Sequence, residues 1–97
     1  MKVADTIRRK LTEALSPVAL HIVDDSDKHR GHAGYREGGE SHFTVTIVST
    51  AFEGDNRVAR QRKVYTILAE ELAGPVHALS VFALTPAEAR SQEKRQQ

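Results

Sequence analysis

The chain has no cysteine and no tryptophan among its 97 residues. Without cysteine it has no disulfide framework and no thiol nucleophile, and it cannot hold a zinc ion or an iron-sulfur cluster through thiolates of its own. Any soft-metal site must use histidine or borrow sulfur from a partner. An excess of one charge is also missing: 14 Lys and Arg against 13 Asp and Glu leave a formal net charge of +1. Strong nonspecific attraction to nucleic acid needs a clear basic excess on one surface, so binding of that kind would require a local patch. No stretch approaches the roughly 20 apolar residues of a membrane span. MKVADTIRRKL carries charges at short intervals where a signal peptide needs an apolar run. These features predict a soluble, cytoplasmic protein without membrane contact.

What is present suffices for one modest core. Apolar residues make up 39% of the chain, and this length accommodates one domain, residues 1–97, but not two. Its core is expected over about residues 3–90, with 91–97 as a tail. From Val3 to Leu15 the apolar positions Val3, Ile7, Leu11, Ala14 and Leu15 recur every three or four residues, which predicts an amphipathic helix stopped by Ser16-Pro17. Val18, Leu20 and Ile22 alternate with Ala19, His21 and Val23 as a strand does, and acidic Asp24, Asp25 and Asp27 close it.

A loop of about fourteen residues, Asp27 to Glu40, comes next, long for a connection between adjacent strands. Phe43, Val45 and Ile47 then alternate with Thr44, Thr46 and Val48 in a second strand. A second helix is expected from Arg57 to Leu72, with Asp55 or Asn56 as N-cap, a buried stripe of Val58, Val64 or Tyr65, Leu68 and Leu72, and Ala73-Gly74-Pro75 as its stop. VHALSVFAL, Val76 to Leu84, reads as a third strand. TPAEARSQ reads as a short terminal helix with Thr85 as N-cap and Pro86 at its first position, and EKRQQ as frayed tail.

The order helix, strand, strand, helix, strand, helix predicts an α+β domain with helices covering one face of a three-stranded mixed sheet. Strands joined by a loop run antiparallel, and a strand-helix-strand connection in one sheet runs parallel. The end of strand one, the long loop and the starts of strands two and three therefore share one edge. His29, His32, His42 and His77, four of the five histidines, converge there. Neutral imidazole is a common ligand for intermediate metals and can complete a site whose sulfur comes from elsewhere. The plainer reading is that His77, on the parity of Leu79 and Val81, is a hydrogen-bonded histidine at the core rim, that His42 only starts a strand, and that His29 is solvated. His21 alternates onto the open side of the sheet. The glycines around His32 relieve turn strain or let the backbone approach a ligand.

Other motifs are weaker. Asp25-x-Asp27 begins like a calcium loop, but its twelfth position is Arg36. GHAG has the form of the Gly-x-x-Gly clamp of KH domains, which joins two helices, whereas here it joins strands. Ser41-His42 is rejected as a nucleophile-base pair because adjacent strand side chains point to opposite faces. No phosphate loop or nucleotide fingerprint is present, and no enzyme is expected. Arg57, Arg60, Arg62 and Lys63 crowd the first turns of helix two, either as a solvated face or as contacts to phosphate or an acidic partner.

HRGHAG, SHFTVTIVSTAFEGDNRVARQRKVY and LAEELAGPVHALSVFALTP, taken together over residues 29–86, resemble the BolA family. The resemblance implies a class II KH-like fold without the usual clamp. It also implies a partner, a monothiol glutaredoxin with which such proteins share a 2Fe-2S cluster, in iron-sulfur trafficking or iron sensing. The family's ligands are a histidine or cysteine in the loop between the first two strands and a histidine opening the third. These carry over onto His32 of RGHAG and His77 of GPVHAL, with His29 and His42 as neighbours. The glutaredoxin's cysteine and glutathione would supply two thiolates, and this chain two imidazoles, a mixed ligation similar to a Rieske centre. Such ligation implies cluster retention that weakens as pH falls through the histidine range. Many members have Arg-His-Arg in helix two where this chain has Arg60-Gln61-Arg62, so no role of that central histidine transfers. The retained arginines keep open the family's other described activity, transcriptional regulation by DNA binding in stress response and cell morphology.

Overall fold

The computed structural model describes residues 2–25 and 41–95, with side chains through Gln92. The elements run α1 (Val3–Leu15), β1 (Ala19–Asp24), β2 (His42–Val48), a short 3-10 turn (Thr50–Phe52), α2 (Arg57–Ile67), α3 (Ala69–Ala73), β3 (Ala78–Leu84) and α4 (Pro86–Arg95). The sheet order is β1-β2-β3. β1 pairs antiparallel with β2, Asp24 opposite Phe43, and β2 pairs parallel with β3, His42 opposite Ala78. The mixed sheet and the shared edge expected from element order are both present.

Period-2 alternation decides what each strand buries. Phe43, Val45 and Ile47 of β2, with Leu79 and Val81 of β3 and Leu20 and Ile22 of β1, face a core completed by Ile7, Leu11 and Leu15 of α1 and by Val64, Leu68 and Phe52. Ile7, Leu11, Val45, Ile47, Phe52 and Val64 are fully buried. α1 ends where Ser16 takes a left-handed conformation (φ 44°), its N–H donating to the Thr12 carbonyl, and Pro17 prevents the helix from continuing. The turn before α2 places Gly54 at φ 84°, a conformation that costs an L side chain strain.

Several expectations are corrected. β1 starts at Ala19, leaving Val18 outside the strand and 68% exposed, and Asp24 belongs to the strand rather than closing it. The second helix is two: β-branched Thr66 and Ile67 precede Leu68 (φ −101°, ψ 22°), where α2 gives way to α3. Of its expected stripe, Val64 and Leu68 are buried and Leu72 is partly buried, but Val58 is 55% and Tyr65 39% exposed. Asn56 is the cap, its Oδ1 accepting from the Ala59 N–H at 2.8 Å. β3 begins at Ala78, so Val76 and His77 precede it. α4 continues to Arg95, past the Gln92 expected from the sequence. Its start is a capping box: the Thr85 N–H donates to Glu88 Oε1 (2.8 Å) and the Glu88 N–H donates to Thr85 Oγ1 (3.3 Å).

Candidate functional site

At the shared edge, the Asp25 N–H donates to the His42 carbonyl at 2.7 Å, closing the base from which the long connection leaves. The Ser41 carbonyl accepts from two amides, His77 N–H at 2.7 Å and Ala78 N–H at 3.2 Å, which joins the entry of β2 to the entry of β3. His42 and His77 are brought into contact with ring centroids 5.5 Å apart and planes tilted by 49°. His42 lies on the same side of β2 as Thr44 and Thr46, yet it is only 5% exposed. His77 is exposed rather than lodged at the rim of the core, because it sits one residue before β3. Among the described residues neither ring nitrogen of His77 has a hydrogen-bond partner.

His29 and His32 fall outside the described residues, as do the surrounding glycines, GHAG and the calcium-like stretch after Asp25. Strand alternation, the ground for rejecting Ser41-His42 as a nucleophile-base pair, does not apply to Ser41, which precedes the strand. Ser41 occupies a bend before β2, and its hydroxyl meets His42 Nδ1 at 2.8 Å. The hydroxyl is wholly buried, which gives it no access to a substrate. His21 is exposed on the open face opposite Thr46, as its parity predicts.

Among the described residues, no group of three or more His, Cys, Asp or Glu stands together as a metal site. His77 nonetheless fits one position of a mixed-ligand iron-sulfur site: its imidazole is accessible to a second molecule, and its backbone is tied at 2.7 Å to the entry of β2. Any sulfur ligand must come from outside this cysteine-free chain.

The basic cluster of α2 divides in two. Arg60 is committed internally: Nε donates to the Asp55 carbonyl (3.0 Å), Nη1 to the Ala83 carbonyl (3.0 Å), and the guanidinium forks onto Glu88 at 2.6 and 3.2 Å. Its side chain is 12% exposed. The Arg60 guanidinium, with help from the Thr85 N–H and against a small desolvation penalty, holds the Glu88 carboxyl down from the ordinary 4.5 to about 2. Lys63 donates to Asp55 Oδ2 at 2.6 Å and to the Ala51 carbonyl at 3.0 Å. Arg57 and Arg62 are exposed and have no ion pair among the described residues. Arg57 and Arg60 line a cleft of about 350 Å³ with Gln61, Thr46, Phe82 and Gln92, toward the end of β3 remote from His77. The sequence marked these four cations as one cluster and had no signal for their division, since the acceptors Ala83 and Glu88 lie 23 and 28 residues away from Arg60.

No helix among the described residues is long and apolar enough to cross a membrane. The sequence pattern of the family described as BolA-like protein matches residues 11–88. The chain is 51% identical over 84 residues to human BolA-like protein 1, covering 87% of this chain and 58% of the human one. It is 42% identical over 85 residues to the Escherichia coli protein named DNA-binding transcriptional regulator BolA, covering 88% of this chain and 77% of that one. The solved structure of BolA1 from Arabidopsis thaliana superposes with a TM-score of 0.81 at 48% identity, over 91% of this chain and 96% of that one. The chain spans little more than half of the human relative's length, and none of these three names is that of an enzyme.

Proposed function

The chain belongs to the BolA-like protein family, and from that premise we propose that it is a noncatalytic partner of a monothiol glutaredoxin that shares a 2Fe-2S cluster with it, in iron-sulfur trafficking or iron sensing. His77 and His32 hold the cluster from this side, and the glutaredoxin's cysteine and glutathione hold it from the other. The observation that carries the reading is the exposed His77 imidazole, anchored through its backbone to Ser41 at the edge where the loop bearing His32 leaves and returns. When bound, the cluster supplies an iron-sulfur unit that can be handed on or sensed. Imidazole ligands suit such a unit because they bind iron without adding negative charge and release it on protonation. The cytoplasm is the proposed location, to be checked by cell fractionation.

Mixing the chain with a monothiol glutaredoxin, glutathione, iron and sulfide is expected to give a coloured heterodimer. His32→Ala and His77→Ala should each change its visible absorption and circular dichroism. Spectra unchanged in both variants would remove the ligand assignment.

A second reading, a DNA-binding transcriptional regulator, is favoured by the exposed Arg57 at the cleft beside β3 and the exposed Arg62 on the same helix, neither in an ion pair among the described residues, and by the name of the Escherichia coli relative. Under that reading Arg57→Ala weakens binding to duplex fragments of any sequence and flattens the salt dependence by about one phosphate contact. Binding that appears only at very low salt and is indifferent to Arg57→Ala counts against it.

A further inference from the structure

We propose that Ser41 and His42 form a positioning unit that holds the His77 imidazole in one orientation at the entry of β3; this rests on reading His77 as a ligand and assigns a task to two residues that are not ligands in that reading.

The unit acts through both main chain and side chain. The Ser41 carbonyl takes the His77 and Ala78 amides at 2.7 and 3.2 Å, which fixes the point from which the His77 side chain departs. The His42 ring then stands against the His77 ring at a centroid distance of 5.5 Å, inside the span over which ring pairs attract. His42 is itself held: it is 5% exposed, and its Nδ1 meets the hydroxyl of Ser41, which is wholly buried. Support therefore runs outward from a buried hydroxyl through a buried ring to an exposed one.

Packing alone does not account for a histidine here. A buried imidazole requires hydrogen-bonded nitrogens, and an aliphatic side chain would fill the space without that requirement. What the imidazole adds is a flat face whose rotation is locked by Ser41. An exposed side chain without a hydrogen bond to its ring nitrogens otherwise samples several rotamers and loses that freedom on capturing a ligand, so a ring held beforehand binds more tightly. His42 and Ser41 are positioning residues and touch no cluster atom.

The test has one readout in the isolated chain and one in the loaded complex. Ring-nitrogen NMR spectra and side-chain couplings of wild type should show His77 in a single rotamer. Ser41→Ala should partly average it, His42→Ala should average it fully, and His42→Phe, which keeps a flat ring, should restore most of the order. Thermal melts confirm that each variant is folded, and if His42→Ala is not, Ser41→Ala and His42→Phe decide the matter. In the glutaredoxin complex, cluster half-life against a chelator should fall about tenfold in His42→Ala, the lower end for residues supporting a metal ligand, and recover in His42→Phe. A His77 ring that is averaged in wild type, or indifferent to His42→Ala and Ser41→Ala, overturns the proposal. Loosened rings with unchanged cluster half-life overturn its bearing on the cluster. A cluster spectrum unmoved by His77→Ala is a different result: it removes the ligand reading even if the rings are ordered as proposed.

Discussion

Replacing Glu88 with Gln tests whether the Arg60–Glu88 pair fastens α4 to α2 electrostatically. Glutamine keeps the capping box, because its amide oxygen can still accept from the Thr85 N–H, so the substitution removes charge rather than the helix start. Holding a carboxyl at about 2 instead of 4.5 corresponds, at full coupling, to about 3 kcal/mol. The Glu88 side chain is 46% exposed, and solvent screening reduces that to about 1 kcal/mol. The folded value lies below the unfolded one, so the contribution is complete above about 4.5 and is lost as pH falls from there through about 2. Urea unfolding of wild type, Glu88→Gln, Arg60→Ala and the double variant gives a double-mutant cycle. The expected coupling is about 1 kcal/mol at neutral pH, shrinking in high salt and vanishing near the low end of that window. Arg60→Ala alone should cost more, about 2 to 3 kcal/mol, because the Asp55 and Ala83 carbonyls also lose their donor. A coupling below about 0.2 kcal/mol, or a stability gap between wild type and Glu88→Gln that does not change with pH, would refute the assignment. The outcome bears on the DNA-binding reading too: loss of binding in Arg60→Ala reports damage to the fold, whereas Arg57→Ala is a clean probe of phosphate contact.

Three further substitutions address the scaffold. Phe52→Ala, at a fully buried core position, should destabilise by about 3 to 5 kcal/mol in denaturant titrations, and a loss below about 1 kcal/mol would mean the ring is not packed as described. Ser49→Ala removes a hydroxyl that donates to the Leu15 carbonyl at 2.6 Å and accepts from the Ala51 N–H at 3.0 Å; about 1 to 2 kcal/mol should be lost, and an unchanged thermal midpoint would contradict it. Glu71→Ala strips Lys10 of a partner at 2.9 Å that is almost buried, so about 2 kcal/mol of stability should go; Glu71→Gln should recover part of it, and a Glu71→Gln variant as stable as wild type would show that charge is irrelevant there.

The apolar periodicities of α1, β2 and β3 were legible because each depends on neighbours within a few residues, and side-chain spacing directly reports which face is buried. Element order was also enough to bring β1, β2 and β3 entries to one edge, since connection type dictates strand direction. The exposure of Val58 was not legible, because which apolar residues of α2 meet α1 and β3 is set by tertiary packing and not by their spacing along the helix. The break at Leu68 was equally hidden, lying within a continuous helical pattern.

By itself the sequence determined the kind of chemistry open to this protein: with no cysteine, any soft-metal site would have to use imidazole or borrow sulfur, and near-neutral charge means any basic surface is local. It also determined the candidates, His77 at the edge and four cations on α2. Only the tertiary structure decided their exposure and their partners. It exposed His77 and buried His42 against it, joined Ser41 to His42 across a bend, and set Arg60 and Lys63 to internal tasks while leaving Arg57 and Arg62 to solvent. The physical reason is that donor type is a property of a residue, whereas burial and hydrogen-bond partnership are properties of pairs, and pairs such as Arg60–Glu88 and His42–His77 lie 28 or more residues apart.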